Sequence, residues 1–207
     1  MTEVPDDDRV TQAAARLFAS LGYDGATADM IAESAGVDRS TIESMGGKSG
    51  LYHRILQTSF DEQMLLFDEV EKTFTPGLRG LQRFTEEIVE YYFDHLDIAA
   101  IWHHRMMADA ADLQDIEARF RDPAVRRAAA IVGMSTSDNP DYELVHTVGG
   151  WCIYGFFMQG IPTNGGPPLT AQTPEGRVKF RSMMIRLHDL LERGGLSVGG
   201  TDTETSV

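Results

Sequence analysis

The sequence predicts an all-α fold of about nine helices, three of them in an N-terminal helix-turn-helix domain and the rest in a bundle. Apolar residues recur at helical spacing through the long segments. Capping residues, glycines and prolines fall between those segments, where helices must start and stop. One late segment, from Tyr142 to about Gly160, is apolar almost all round.

Arg9 to Leu21 opens the series, with Val10, Ala13, Ala14, Leu17 and Phe18 on one face and Gly22-Tyr23 as its end. Asp24-Gly25-Ala26-Thr27 reads as a turn followed by a hydroxyl N-cap, and Asp29 sits in the first helical turn. Met30, Ile31 and Ala35 give the short second helix its apolar face. Gly36 stands where a helix stops in the left-handed conformation. Val37 plugs the space between helices, and Asp38 is the N-cap of a third helix through Arg39, Ser40, Thr41, Ile42 and Glu43. A short helix, a tight glycine turn and a second short helix form a DNA-reading unit. Lys48 then opens a long helix carrying Leu51, Tyr52, Ile55, Leu56, Phe60, Met64 and Phe67 on one side.

The stretches AARLFASLGYDGATADMIAESAGVDRSTI and GGKSGLYHRIL resemble the TetR family of bacterial regulators, over the first quarter of the chain. The resemblance implies a homodimer that binds operator DNA through its helix-turn-helix. It also implies a C-terminal helical domain for ligand binding and dimerisation, with the last two long helices paired against their twins. The reading helix departs from the family pattern. Counted forward from Gly36, Glu43 stands at the family's tyrosine position; counted back from Lys48, Met45 stands at its phenylalanine position. The two counts differ by one, so the segment is one residue short and carries no tyrosine or histidine to bond a phosphate. A carboxylate such as Glu43 repels phosphate.

The donors that remain are Arg39, Ser40 and Thr41 on the first turn of the reading helix, where base edges are met. Thr27 and Lys48 stand at helix N-termini suited to phosphate. Against those readings, Thr27 and Asp38 also serve as plain caps, Lys48 as a solvated surface lysine and Met45 as a core filler replacing a ring.

A formal net charge of -14 opposes easy nucleic-acid binding. Through Arg54 the acids Glu3, Asp6, Asp7, Asp8, Asp24, Asp29, Glu33, Asp38 and Glu43 outnumber the bases Arg9, Arg16, Arg39, Lys48 and Arg54. Affinity for DNA rests on cations that displace counterions, so an acidic reader must converge its few bases on one face. The sequence shows no membrane-spanning run and no signal peptide. A lone Cys152, set in an apolar helix, fits a small buried hydrophobe in a reducing cytoplasm.

Further helices are expected over Leu78–Leu96, over Ile98–Ala111, and from Leu113 to about Met134 with a break at Asp122-Pro123. Asn139-Pro140 is a cap with proline at the first helical position, ahead of Tyr142–Gly160. That helix is expected to be buried on several sides, with Gly149, Gly150, Gly155 and Gly160 admitting a close neighbour. A glycine- and proline-rich loop, Ile161–Thr173, leads to the last helix, Pro174–Arg193. The expected domains are 1–50 for the helix-turn-helix, 51–193 for ligand binding and dimerisation, and a disordered tail over 194–207.

Tyr91, Tyr92, Trp102, Met106, Phe120, Trp151 and Tyr154 are candidates to wall an apolar ligand pocket, with His103 or His104 as a polar contact. Taken singly, each aromatic reads equally as core. His103 and His104 are adjacent and diverge around the helix, and no zinc spacing is present, so no metal and no cofactor is expected. No nucleophile motif or phosphate-cradling loop is present, so no catalytic residue is assigned. The expectation is a cytoplasmic, homodimeric, TetR-like regulator whose operator binding responds to a small, largely apolar ligand, with no membrane partner. The alternative is a protein of the same fold that no longer reads DNA. It would bind a ligand or a partner, or work as an enzyme in the C-terminal cavity through a histidine near Asp94, Asp97 or Asp109.

Overall fold

The computed structural model describes residues 6–134 and 140–195. Among them run nine α-helices: α1 (Asp6–Gly25), α2 (Ala28–Ala35), α3 (Arg39–Ser44), α4 (Gly47–Thr73), α5 (Leu78–Asp94), α6 (Leu96–Met106), α7 (Asp122–Ile131), α8 (Pro140–Gln159) and α9 (Pro174–Arg193). A π-helical turn, Glu117–Arg121, precedes α7. Asn139 of the expected cap, and all but the first two residues of the expected disordered tail, lie outside the described residues.

The chain divides into two compact units. The first joins residues up to Glu62 with His95–Asp122; the second joins Gln63–Asp94 with Pro123 onward.

In the first unit, α1 buries Val10, Ala13, Ala14 and Phe18 completely, and α6 lies against it. The amphipathic spacing of α1 therefore faces a helix some eighty residues away in sequence. Gly22 interrupts α1 with φ 75° and ψ 168°, as the Gly22-Tyr23 end predicts. Behind it Phe18, Tyr23 and Tyr52 pack with ring centroids 5.0–5.7 Å apart. Phe60 meets Phe120 at 6.1 Å.

Several helix ends differ from the sequence expectation, among them that of the helix expected from Leu113, where helix begins only at the π-helical turn. α5 stops at Asp94 and α6 begins at Leu96, with His95 between them at φ -126°, ψ 54°. α6 ends at Met106 rather than Ala111, and Ala108 and Ala110 take positive φ values of 66° and 55°. No glycine or proline marks that stop. Arg105 makes it instead, donating to the carbonyls of Asp109, Ala110 and Leu113. These bonds satisfy carbonyls that a continued helix would have paired, so a short irregular segment costs little. The break expected at Asp122-Pro123 takes the form of the π-helical turn, which runs directly into α7 with Pro123 as its second residue.

In the second unit, Phe93, Phe156, Phe157 and Phe180 form the aromatic centre, with Phe156 and Phe180 stacked at 4.2 Å. Thr173 caps α9, its hydroxyl accepting from the Gly176 amide at 3.1 Å, and Pro174 follows at the first helical position. The preceding loop is pinned by a two-way backbone bridge between Ile161 and Leu169.

α8 is not buried on several sides in the single chain. Of its apolar residues with described side chains, Ile153 and Phe156 are buried, whereas Leu144, Trp151 and Met158 are exposed. A Cβ added at Gly149 or Gly155 would meet nothing within 4 Å, so no described helix uses those glycines for close approach. Composition fixes how apolar a helix is, but not how many of its faces a single chain covers.

Candidate nucleic-acid interface

The helix-turn-helix is built as its residues dictate. Thr27 is extended at φ -118°, ψ 157°, and its hydroxyl accepts from the Met30 amide at 3.2 Å. Ile31 and Ala32 are buried, holding α2 down. Gly36 takes φ 65°, ψ 40°, and its amide and that of Val37 close the end of α2 on carbonyls of Ala32 and Glu33. Asp38 stands at the N-cap of α3 in an extended conformation, but its side chain makes no capping bond. Ile42 is fully buried and anchors α3. The helix is six residues long, ending at Ser44, with the half-buried Met45 as its C-cap.

Of the candidate DNA-binding residues, Thr27, Arg39 and Ser40 are exposed and Thr41 is half-buried. Arg39 is engaged within the protein. Its Nη1 donates to both carboxylate oxygens of Asp29 at 2.9 Å, and its Nε donates to Oε1 of Glu43 at 3.3 Å. These bonds, Asp29 first, hold the Arg39 pKa above its ordinary value. Lys48 is not a free surface lysine. Its ammonium donates to the carbonyls of Tyr23 and Ala26 at 2.9 and 3.1 Å and lies 4.0 Å from the Tyr23 ring centroid. The lysine thus ties the turn after α1 to the start of α4.

Asp109 completes that tie and was not legible as a structural residue. Its carboxylate accepts from the amides of Tyr23 and Asp24 at 2.6 and 2.9 Å. Arg105 and Glu117 form a bidentate pair beside it at 2.6 and 2.8 Å, which holds the Glu117 carboxyl below its ordinary value. The ring Nε2 of His104 stands 3.1 Å from the Ala19 carbonyl. The reading unit is therefore fastened to α6 and the segment after it by several polar bonds.

The ligand candidates fall in both units. In the first, Trp102 and Phe120 are buried, Met106 is exposed, and Nδ1 of His103 is buried without a hydrogen-bond partner. In the second, Tyr91, Tyr92 and Tyr154 come together, with Tyr92 5.5 and 6.2 Å from the other two rings. Burial pushes the Tyr92 hydroxyl pKa up, opposed by its bonds to Tyr154 and Gln63. Trp151 stands 65% exposed on α8. Cys152 is half-buried, and burial raises its thiol pKa. No group of three or more metal-ligating side chains gathers among the described residues, and no helix among them is long and apolar enough to cross a membrane.

Residues 10–42 match the family model described as bacterial regulatory proteins, tetR family. No curated protein matches the chain by sequence. Among solved structures, the fold is similar to the TetR family transcriptional regulator PfmR from Thermus thermophilus, with TM-score 0.65 and 16% identity over 90% of this chain and 98% of that one. It is similar to the ketosteroid transcriptional regulator KstR2 of Mycobacterium tuberculosis, with TM-score 0.65 and 18% identity over 95% and 97%. It is also similar to the fatty acid degradation regulator FadR from Bacillus halodurans, with TM-score 0.65 and 13% identity over 92% and 96%. Residues 10–42 thus match the family model, and the all-α fold is similar to those of these regulators over most of the chain.

Proposed function

We propose that the protein is a homodimeric cytoplasmic regulator that reads an operator with α3 of each protomer and releases it in response to a small, largely apolar ligand. The observation that carries this reading is the helix-turn-helix, with Arg39 and Ser40 exposed on the first turn of α3 and Thr41 beside them. In the proposed division of labour, residues 1–50 read DNA and residues 51–193 bind ligand and dimerise. Thr27 meets phosphate, and Lys48 acts mainly by holding the turn before α2.

Dimerisation through α8 and α9 is supported by the apolar side chains those helices leave exposed: Leu144, Trp151 and Met158 on α8, and Val178, Met183 and Leu190 on α9. An apolar ligand is supported by the Tyr91, Tyr92 and Tyr154 rings, which come together in the second unit. Two similar folds are described as ketosteroid and fatty acid degradation regulators, consistent with that ligand class. Two reading heads must sit about one DNA turn apart, so a small change in their spacing releases the operator. No catalytic role is proposed.

Binding to the promoter DNA beside its own gene, at low salt, tests the reading, with Arg39→Ala as control. Retardation that Arg39→Ala abolishes is the expected result. Absence of retardation by the wild type favours the second reading, a TetR-fold protein that binds a ligand or partner, or acts as an enzyme, without reading DNA. The acidic reading unit motivates that alternative.

A further inference from the structure

Arg39 is tied between the two helices of the reading unit. Asp29 comes from the first turn of α2 and Glu43 from one turn further along α3. The three side chains are 57–69% exposed, so the cluster lies on the surface. Nη2 is the guanidinium nitrogen with no hydrogen bond to any described residue.

Two carboxylates on one guanidinium leave this cluster with net negative charge. Such a cluster gains little from a phosphate, because its one cation is already compensated and its carboxylates repel the backbone. What it retains is direction. A planar guanidinium bonded at Nε and Nη1 leaves Nη2 as its outward donor, in the orientation those bonds favour. Fixed donors suit a base edge rather than a mobile phosphate. The major-groove edge with two adjacent acceptors, O6 and N7, belongs to guanine.

We propose that Arg39 reads a guanine, and that Asp29 and Glu43 are positioning residues that set its selectivity at the expense of affinity for DNA in general. This rests on the operator-binding reading above. It assigns a function to two of the acids that give the reading unit its negative charge.

The probe is a duplex selected by the wild-type protein from a random-sequence library, compared with a scrambled duplex and with single guanine-to-adenine changes. The wild type is expected to lose about 10-fold or more in affinity at one guanine. Asp29→Asn and Glu43→Gln are expected to bind the scrambled duplex several-fold more tightly. Their salt dependence steepens by about one ion. Their discrimination at that guanine falls to about threefold or less, and Asp29→Glu restores it. Unchanged discrimination in both variants, with binding intact, overturns this proposal alone. Equal weakening on selected and scrambled duplexes also overturns it, because that is the mark of a merely structural role. A wild type that selects no duplex overturns the operator-binding reading itself and this inference with it.

Discussion

Gly22 holds φ 75° and ψ 168°, a region open essentially to glycine alone, and a Cβ placed there would stand 2.9 Å from Oδ1 of Asp109. The close approach exists because that carboxylate caps the Tyr23 and Asp24 amides. Gly22→Ala is therefore expected to cost about 1–3 kcal/mol in chemical denaturation. Adding Asp109→Ala to it should cost less than the two single changes combined, because the steric part of the penalty disappears with the carboxylate. Strict additivity would mean the backbone conformation alone sets the cost. The sequence marked Gly22 correctly as a helix end, but it offered Asp109 only as an acid available for chemistry. A carboxylate's partners 85 and 86 residues away leave no local trace.

The seam between antiparallel α5 and α9 is where one element depends on the charge state of another. His188 is 2% exposed there, with Nδ1 unpartnered, and burial lowers its pKa from the ordinary 6.5, opposed by Asp189. Gln82 and Glu86 face it from α5, and Arg181 and Asp189 from α9. Gln82 is bonded to Asp189, and Arg181 to Glu90. Above the ordinary pKa the imidazole is neutral in both folded and unfolded chains, and it contributes no pH dependence. As pH falls through 6.5 the unfolded chain takes up a proton that the folded seam excludes, so stability declines until the lowered folded pKa is reached. Denaturation midpoints should hold steady above neutrality and drop below it. His188→Leu should remove that part of the drop, and an unaltered profile in the variant would rule out His188 as its source. Phe180, Met184 and His188 recur at helical spacing along α9. The depth of burial of His188 depended on what α5 laid over it.

At the scale of the whole molecule, two facts pull against each other. The chain carries a formal net charge of -14, yet α8 and α9 expose large apolar side chains, Trp151 the most at 65%. Like charge opposes association, whereas an apolar face favours it at roughly 25 cal/mol per Å² buried. A dimer through these helices therefore predicts that moderate salt, which screens the charge, strengthens association. Sedimentation should give a dimer for the wild type and a monomer for Trp151→Glu combined with Leu190→Glu, with helical content unchanged. A double variant that stays dimeric would place the interface elsewhere.

The sequence by itself determined the elements whose signals are local. Thr27 and Gly36 bound α2, Thr173 and Pro174 open α9, and the spacing of Val10, Ala13, Ala14 and Phe18 sets the buried face of α1. Each depends on neighbours within a few residues, because caps, left-handed stops and helical faces are short-range physics. The early stop of α6 and the engagement of Lys48 with the turn after α1 were decided only by tertiary structure, as was the bridging of Arg39 by Asp29 on the neighbouring helix. In each case a charged side chain found partners on a segment that folding brought alongside. A charge's partners are fixed by proximity in space, which residue order encodes only through the completed fold.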